Sequence, residues 1–316
     1  MWPGKRRSGA SRSGVPKPEM GNEGKLHQQS RLTPMNSSSS FTPLFSAAWA
    51  LALRELRRFI RQRSRIVGAI GQPLVFWIVF GAGLGASFQA PEWAGALERP
   101  LTYQEYFLPG IAVLIVMFTA IFSTISIIED RREGFLQGVL VAPVSRSAIV
   151  LGKIIGGSVL AMLQAGLFLC FGPLLSSIGL APEIPISVGA VQGVLAALFL
   201  ALISVELTAL GFLIAWPMNS TQGFHAVMSV FLLPMWLLSG SFFPGGNSGW
   251  LSVVIRLNPL TYGVAGLRRL LYSQPLPIGE ALPSMTACSL LTVLATVVLF
   301  LMCVVLVRRP SVRNAV

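Results

Sequence analysis

The chain has 316 residues, 53% of them hydrophobic and only 11% charged, with a mean hydropathy of +0.69. A soluble domain carries about 25% charged residues, and here the charges cluster between long charge-free runs, which excludes a soluble globular protein. The net charge of +12 would suggest nucleic acid in a soluble chain, but it flanks the apolar runs, where basic residues set topology instead.

Six runs are long enough for a bilayer, which takes roughly 17–25 apolar residues: Ile66–Phe88, Phe107–Ile128, Ile154–Leu175, Ile186–Trp216, Gly223–Phe243 and Leu282–Val307. The expected fold is an all-α polytopic membrane protein with six transmembrane helices. Of the 24 Lys and Arg, 20 precede the first run, lie between the second and third, or follow the last. The positive-inside rule therefore places both termini and the central segment in the cytoplasm.

Residues 1–43 are rich in Ser, Gly, Pro, Lys and Arg, a composition that predicts disorder. No apolar signal-peptide core follows this basic start. The same composition makes Met20 and Met35 alternative starts, with residues 1–34 as an over-extended reading frame. From Leu44 to Arg65 the pattern becomes helical. Phe45, Trp49, Ala52, Leu53, Leu56, Phe59 and Ile60 fall on one face, and Arg54, Arg57, Arg58, Arg61 and Arg65 on the other. Such a helix is expected to lie in the headgroup plane with its arginines on anionic lipid.

The first run ends in small residues, Gly81–Gly85, which let helices approach closely. The loop Gln89–Tyr106, with acids Glu92, Glu98 and Glu105, is too short to fold into a capture domain. The central segment, Ile128–Lys153, begins with five successive charges, Glu129, Asp130, Arg131, Arg132 and Glu133, and turns at Gly134. An amphipathic stretch then runs to Pro143, and Ser145 and Arg146 start the next run. A solvated connector is one reading; the amphipathic content, glycine hinge and proline stop suit a docking element.

The third run carries Gly152, Gly156, Gly157 and Gln164. Within the fourth, Glu206 would cost about 2.5–3.5 kcal/mol near mid-bilayer as a charged group. It is therefore either a functional acid or a protonated one bonded to Ser204, Thr208 or a neighbouring helix. The fifth run breaks at Gly240, Pro244, Gly245 and Gly246. Asn258 as N-cap and Pro259 in the first turn then open a helix, with Tyr262 near its start. Its stripe of Leu260, Val264, Leu267 and Leu271, with Arg268 and Arg269 against the charge bias, predicts an outer interfacial or re-entrant helix. Cys170, Cys288 and Cys303 show no ligand or disulfide spacing and are expected to be small buried residues. The chain contains no GxxxxGK[ST], HExxH or GxSxG motif, so neither ATP binding of that kind nor a catalytic constellation is expected.

Three segments, IEDRREGFLQGVLVAPVSRSAIVLGKI, LSGSFFP and NPLTYGVAGLRRLLY, resemble, in this order, the signature segments of ABC exporter permeases of the ABC-2 family, which includes daunorubicin-resistance-type and nodulation lipooligosaccharide permeases. The resemblance runs from about Leu44 to Arg309, making 44–316 the transmembrane domain. It implies a non-catalytic subunit in a bacterial cell membrane, paired as a homodimer or heterodimer. A separate ATP-binding subunit would hold ATP and Mg, so this chain needs no cofactor of its own. The cargo would be an amphipathic drug, a lipid or a lipid-linked glycan. Glu129, Asp130, Arg131, Arg132, Glu133, Gly134, Pro143, Ser145 and Arg146 would face that subunit, and reversing Arg131 and Arg132 is expected to uncouple transport without preventing insertion. The alternatives are a proton-coupled secondary transporter using Glu206, and a membrane scaffold or lipid-modifying enzyme.

Overall fold

In lipid, a backbone must satisfy its own polar groups, which leaves an apolar run of about 20 residues little choice but a helix. The computed structural model describes residues 41–61, 63–97, 100–177, 189–242, 249–272, 276 and 282–308. The expected N-terminal segment 1–43 lies outside these residues except for its last three, which belong to the first helix. The helices are α1 (Phe41–Ile60), α2 (Arg63–Leu84), α3 (Tyr103–Ser123), α4 (Ile125–Arg132), α5 (Phe135–Val141), α6 (Arg146–Ser177), α7 (Ala190–Ala215), α8 (Thr221–Trp236), α9 (Gly249–Leu257), α10 (Pro259–Leu271) and α11 (Met285–Arg308).

Among the described residues, five helical stretches are long and apolar enough to cross a membrane: Tyr103–Arg132, Arg146–Phe171, Ala190–Ala215, Thr221–Ser241 and Met285–Arg308. The remaining expected span, the first run Ile66–Phe88, falls on α2, whose apolar part, Gly71–Ser87, is shorter. Its first turns are spent on Arg63, Arg65, Gly68 and Gln72. The protein is an all-α polytopic membrane protein.

Helix α3 is the centre, buried along almost its whole length and packed against α2, α6 and α7. Its start is fixed by a capping box: Thr102 Oγ1 accepts from the Glu105 backbone N–H, and Glu105 accepts from that of Thr102 at 3.0 Å. Trp77 of α2, with no exposed surface, donates to the Gln104 carbonyl at 3.0 Å and meets Phe168 of α6 edge-on. Large apolar side chains point outward from α7 and α11, among them Leu198, Leu294 and Leu301. These are the surfaces that suit lipid tails. Cys288 and Cys303 are buried as expected, whereas Cys170 is exposed on the outer face of α6.

The expected break in the fifth run is a π-helical turn, Leu237–Ser241, in which Gly240 has φ 72°. Pro244, Gly245 and Gly246 lie outside the described residues. Irregular backbone at membrane depth survives only where protein satisfies it, and here neighbouring helices do so. Tyr106 Oη donates to the Gly240 carbonyl at 2.7 Å, Trp236 Nε1 to the Gly110 carbonyl at 2.8 Å, and Asn258 Nδ2 to the Met235 carbonyl at 2.6 Å.

Candidate functional site

Helix α1 does not present two faces, as its pattern suggests, but three. Ala48 and Ala52 lie against α6 where Gly152 and Gly156 leave room. A Cβ on Gly152 would stand 2.7 Å from Leu51 Cβ, and one on Gly156 2.9 Å from Glu55 Cβ. Small residues facing small residues bring the two backbones together. Phe45, Trp49 and Ile60 make a second, exposed face. The arginines then divide: Arg57 and Arg61 are exposed, while Arg54 and Arg58 turn to α4. The expectation that all of them rest on lipid is corrected, because two are spent inside the chain.

Their target is Asp130, which has no exposed surface. Arg54 grips its two oxygens with both guanidinium arms, at 2.8 and 3.1 Å, and Arg58 adds a bond at 3.1 Å. Lys153 of α6 donates to Asp130 at 2.6 Å, to Glu55 at 2.6 Å and to Ser126 at 2.9 Å, which uses all three of its protons. Arg58 also reaches Glu129 at 3.0 Å and Glu133 at 3.4 Å. The Arg54 guanidinium stands 3.8 Å above the Phe135 ring. Burial works against the Arg54 charge, but the hydrogen bond to Asp130 and that carboxylate's charge raise its pKa above the ordinary value. Three cations and two buried acids thus join α1, α4 and α6 in one satisfied network.

The central segment is therefore mostly helix, not loop. A kink after Ser123 separates α4 from α3, with Thr124 Oγ1 donating to the Ile121 carbonyl at 2.6 Å. Gly134, at φ 76°, turns the chain into α5, and α6 already begins at Arg146.

Several residues assigned to an external partner hold this chain to itself. Arg131 donates to the carbonyls of Trp216 at 2.6 Å and Met218 at 2.8 Å, and Arg132 to that of Asn219 at 3.1 Å. Arg146 donates to the carbonyls of Val307 and Arg308. Each answers carbonyls at or just beyond a helix C-terminus, which carry unmet acceptors. Reversing Arg131 and Arg132 would strip the α7–α8 turn of its donors, so that change tests folding before it tests coupling. The exposed part of the segment is Arg132, Glu133, Gln137, Gly138, Val141, Pro143, Ser145 and Arg146.

At the other end of the helices, Asn258 caps α10 by accepting from the Leu260 N–H at 3.1 Å, with Pro259 in the first turn. Tyr262 Oη donates to the Arg256 carbonyl at 2.8 Å. The apolar stripe is buried as a set. Helix α10 as a whole is buried against α7 and α11, so it does not lie on a surface. Arg268, expected as an outside charge, is only 2% exposed. It donates to the Tyr106 and Gly240 carbonyls at 3.2 Å and lies 4.2 Å over the Tyr106 ring. Arg269 donates to the carbonyls of Leu276, Leu282 and Pro283.

Glu206 is buried in the middle of α7. Ser204 donates to the Leu200 carbonyl and Thr208 to the Ser204 carbonyl, and among the described residues no hydrogen bond joins either hydroxyl to Glu206. Among the described residues no group of three or more His, Cys, Asp or Glu side chains is placed to hold a metal.

A cleft of about 310 Å³ lies between α1, α2, α3 and α8. Phe59, Phe76, Phe118 and Phe122 line it, with Gln72, Thr119, Ser123 and His225 as polar groups. Thr119 donates to Gln164 of α6, whose Nε2 has no hydrogen-bond partner among the described residues. The sequence reading missed this cleft, and it missed Glu55 and Lys153 in the ion network. The available signals were polar residues inside apolar runs, and a lone acid in a basic helix.

The model of the ABC-2 type transporter family matches residues 46–272, most of the chain, and the chain belongs to that family. It is an ABC transporter permease. The transport permease ycf38 of Cyanophora paradoxa is 33% identical over 77% of this chain and 81% of its own length. Its namesake in Pyropia yezoensis is 26% identical over 78% and 82%. The multidrug ABC transporter permease YbhR of Escherichia coli K12 is 28% identical over 51% of this chain and 42% of its own length.

Proposed function

We propose that this permease is the membrane subunit of an ATP-driven exporter in a cell membrane, with both termini cytoplasmic and ATP and Mg held by a separate ATP-binding subunit. The observation that carries this reading is the Asp130 network. It fastens α1, α4 and α6 into one block, and α5 follows that block with Gln137, Gly138 and Val141 exposed, Val141 to 87%. An apolar side chain so open beside a charged network suits a docking surface. Movement of a docked ATPase would pass through α5 into the block, since a packed, hydrogen-bonded unit transmits force that a floppy loop would absorb.

Outward movement of an amphipathic drug, lipid or lipid-linked glycan agrees with the multidrug name of the Escherichia coli relative and with the short segments between the helices. A second permease, in the simplest case a copy of this chain, would cover α8. That helix exposes Gln222, His225 and Ser229 beside Val230 and Phe231, and polar side chains in lipid need a partner or water. Trp49 and Phe45, flanked by Arg57 and Arg61, would meet membrane lipid.

Affinity purification of the tagged permease from native membranes tests the reading. Recovery of a P-loop ATPase supports it, and a lone permease without ATPase activity contradicts it. In that case, transport driven by a proton gradient and lost in Glu206→Gln would establish the secondary-transporter alternative.

A further inference from the structure

Helix α9, Gly249–Leu257, has three different sides. Ile255 is buried, and Leu251 shares its side one turn earlier, where the helix packs on the π-turn Leu237–Ser241 and on α10. Trp250, Val253 and Leu257, spaced i, i+3 and i+7, form a second side and are 71%, 55% and 78% exposed. Ser252 and Arg256 fall on the third, by the same helical period. One side on protein, one apolar and open, and one polar is the pattern of a helix lying in a membrane interface.

The rest of the fold sets its depth. Asn258, just past α9, donates to the Met235 carbonyl near the end of α8, whereas Arg132 holds the Asn219 carbonyl just before α8 begins. The 21 residues of Thr221–Ser241 rise about 31 Å at 1.5 Å each, the thickness of a hydrocarbon core of about 30 Å. Helix α9 therefore lies one core thickness from the Asp130 network, at the level of the opposite headgroups, where Trp side chains are favoured.

A second copy of the chain is the other occupant to weigh. A Trp side chain buries at most about 250 Å², so Trp250 with one Val and one Leu stays well short of the roughly 800 Å² per partner that a stable interface takes. Lipid needs no such area, because the fold already holds α9 at membrane level.

Contact with lipid would not stay local. The Val254 and Ile255 carbonyls accept from the Asn258 N–H. The Ile255 carbonyl also accepts from the Thr261 hydroxyl at 2.6 Å, and that of Arg256 from the Tyr262 hydroxyl at 2.8 Å. These bonds make α9 and the start of α10 one corner. Helix α10 in turn carries Arg268, which donates to the Gly240 carbonyl of the π-turn at 3.2 Å.

We propose that α9 is a lipid anchor in the headgroup layer opposite the Asp130 network, with Trp250, Val253 and Leu257 in the acyl boundary. Seated there, it holds the α9–α10 corner and, through Arg268, the π-turn. The interfacial character expected of α10 falls instead on α9. The proposal goes beyond the exporter reading and needs only that the chain spans a membrane.

The test is nitroxide spin labelling of the full-length permease in phosphatidylcholine nanodiscs. The background is Cys170→Ser, since Cys288 and Cys303 are buried, and the labels sit on Val253→Cys or Arg256→Cys. The label at 253 should collide with oxygen several times more often than with a water-soluble nickel chelate, and the label at 256 should show the reverse. Free access of the chelate to the 253 label would overturn the proposal. So would exclusion of both reagents with spin–spin broadening, which would mean that a second copy covers the face. Hydrogen exchange reads the holding role: Trp250→Ser should speed exchange of the Leu237–Ser241 amides several-fold, and Leu294→Ala on the lipid face should not. Unchanged exchange in Trp250→Ser would overturn that role. Neither measurement uses ATP or a partner, so both are independent of the co-purification that judges the exporter reading.

Discussion

Arg54 and Asp130, 76 residues apart in the chain, are joined by two parallel hydrogen bonds of 2.8 and 3.1 Å. This fork fixes the angle between α1 and α4, because a bidentate pair constrains orientation as well as distance. Replacing Asp130 by Ala would leave Lys153 and Arg54 without their shared carboxylate. Breaking one side of a buried pair costs about 3–5 kcal/mol, so Asp130→Ala should unfold at clearly lower temperature in detergent, as read by a thermal-shift assay. A midpoint like that of the parent would contradict the network's role.

The approach of α1 to α6 should tolerate almost nothing at Gly152. Even the methyl of Gly152→Ala would sit 2.7 Å from Leu51 Cβ and 2.8 Å from the Ala48 carbonyl oxygen. Overpacking of this kind typically costs about 1–3 kcal/mol. Gly152→Leu should lift α1 and expose Arg54 and Arg58 to trypsin, with cleavage mapped by mass spectrometry. Gly68→Ala, with open space around it, should leave the digestion pattern unchanged.

At the opposite end, Tyr106 and Arg268 both donate to the Gly240 carbonyl. Tyr106→Phe removes one bond and should cost about 0.5–1.5 kcal/mol. Arg268→Lys keeps the charge but loses the planar fork and the stacking on Tyr106, and should destabilise more than Tyr106→Phe. Gly240→Val places a β-branched residue at positive φ and should be the worst of the three. Thermal unfolding of the three variants side by side checks the order.

Arg131 makes a different prediction from its neighbours in sequence. Because it answers the carbonyls of Trp216 and Met218, Arg131→Glu should lower yield and stability in the isolated permease, with no ATPase present. Glu133, with its side chain 59% exposed, should accept Glu133→Gln within about 0.5 kcal/mol, as surface changes usually do.

Much of this was legible in the sequence. Charge-free runs gave the helices, and Asn258–Pro259 marked the start of α10, because capping is local chemistry. The Thr102–Glu105 capping box was equally local and was passed over. The ion network was not legible, since its members come from residues 54–58, 126–133 and 153, and nothing local ties them together. Helical periodicity divided α1 into apolar and cationic faces, but in a membrane protein the closest contact is made by the smallest residues. Ala48 and Ala52, not Trp49 and Phe45, therefore mark its buried side. Charge counting assigns an arginine to a side of the membrane but says nothing of its burial, so it gave no sign that the head of Arg268 is received by backbone carbonyls and an aromatic ring.

The measurement that bears most directly on the central claim compares Val141→Asp with Arg58→Gln in the purified complex, reading ATPase recovery, ATP hydrolysis and transport together. The account predicts that Val141→Asp loses the ATP-binding subunit, while Arg58→Gln retains it and hydrolyses ATP with transport reduced. Full ATPase recovery with Val141→Asp, or undiminished transport with Arg58→Gln, would contradict the assignment of docking to α5 and of transmission to the Asp130 network.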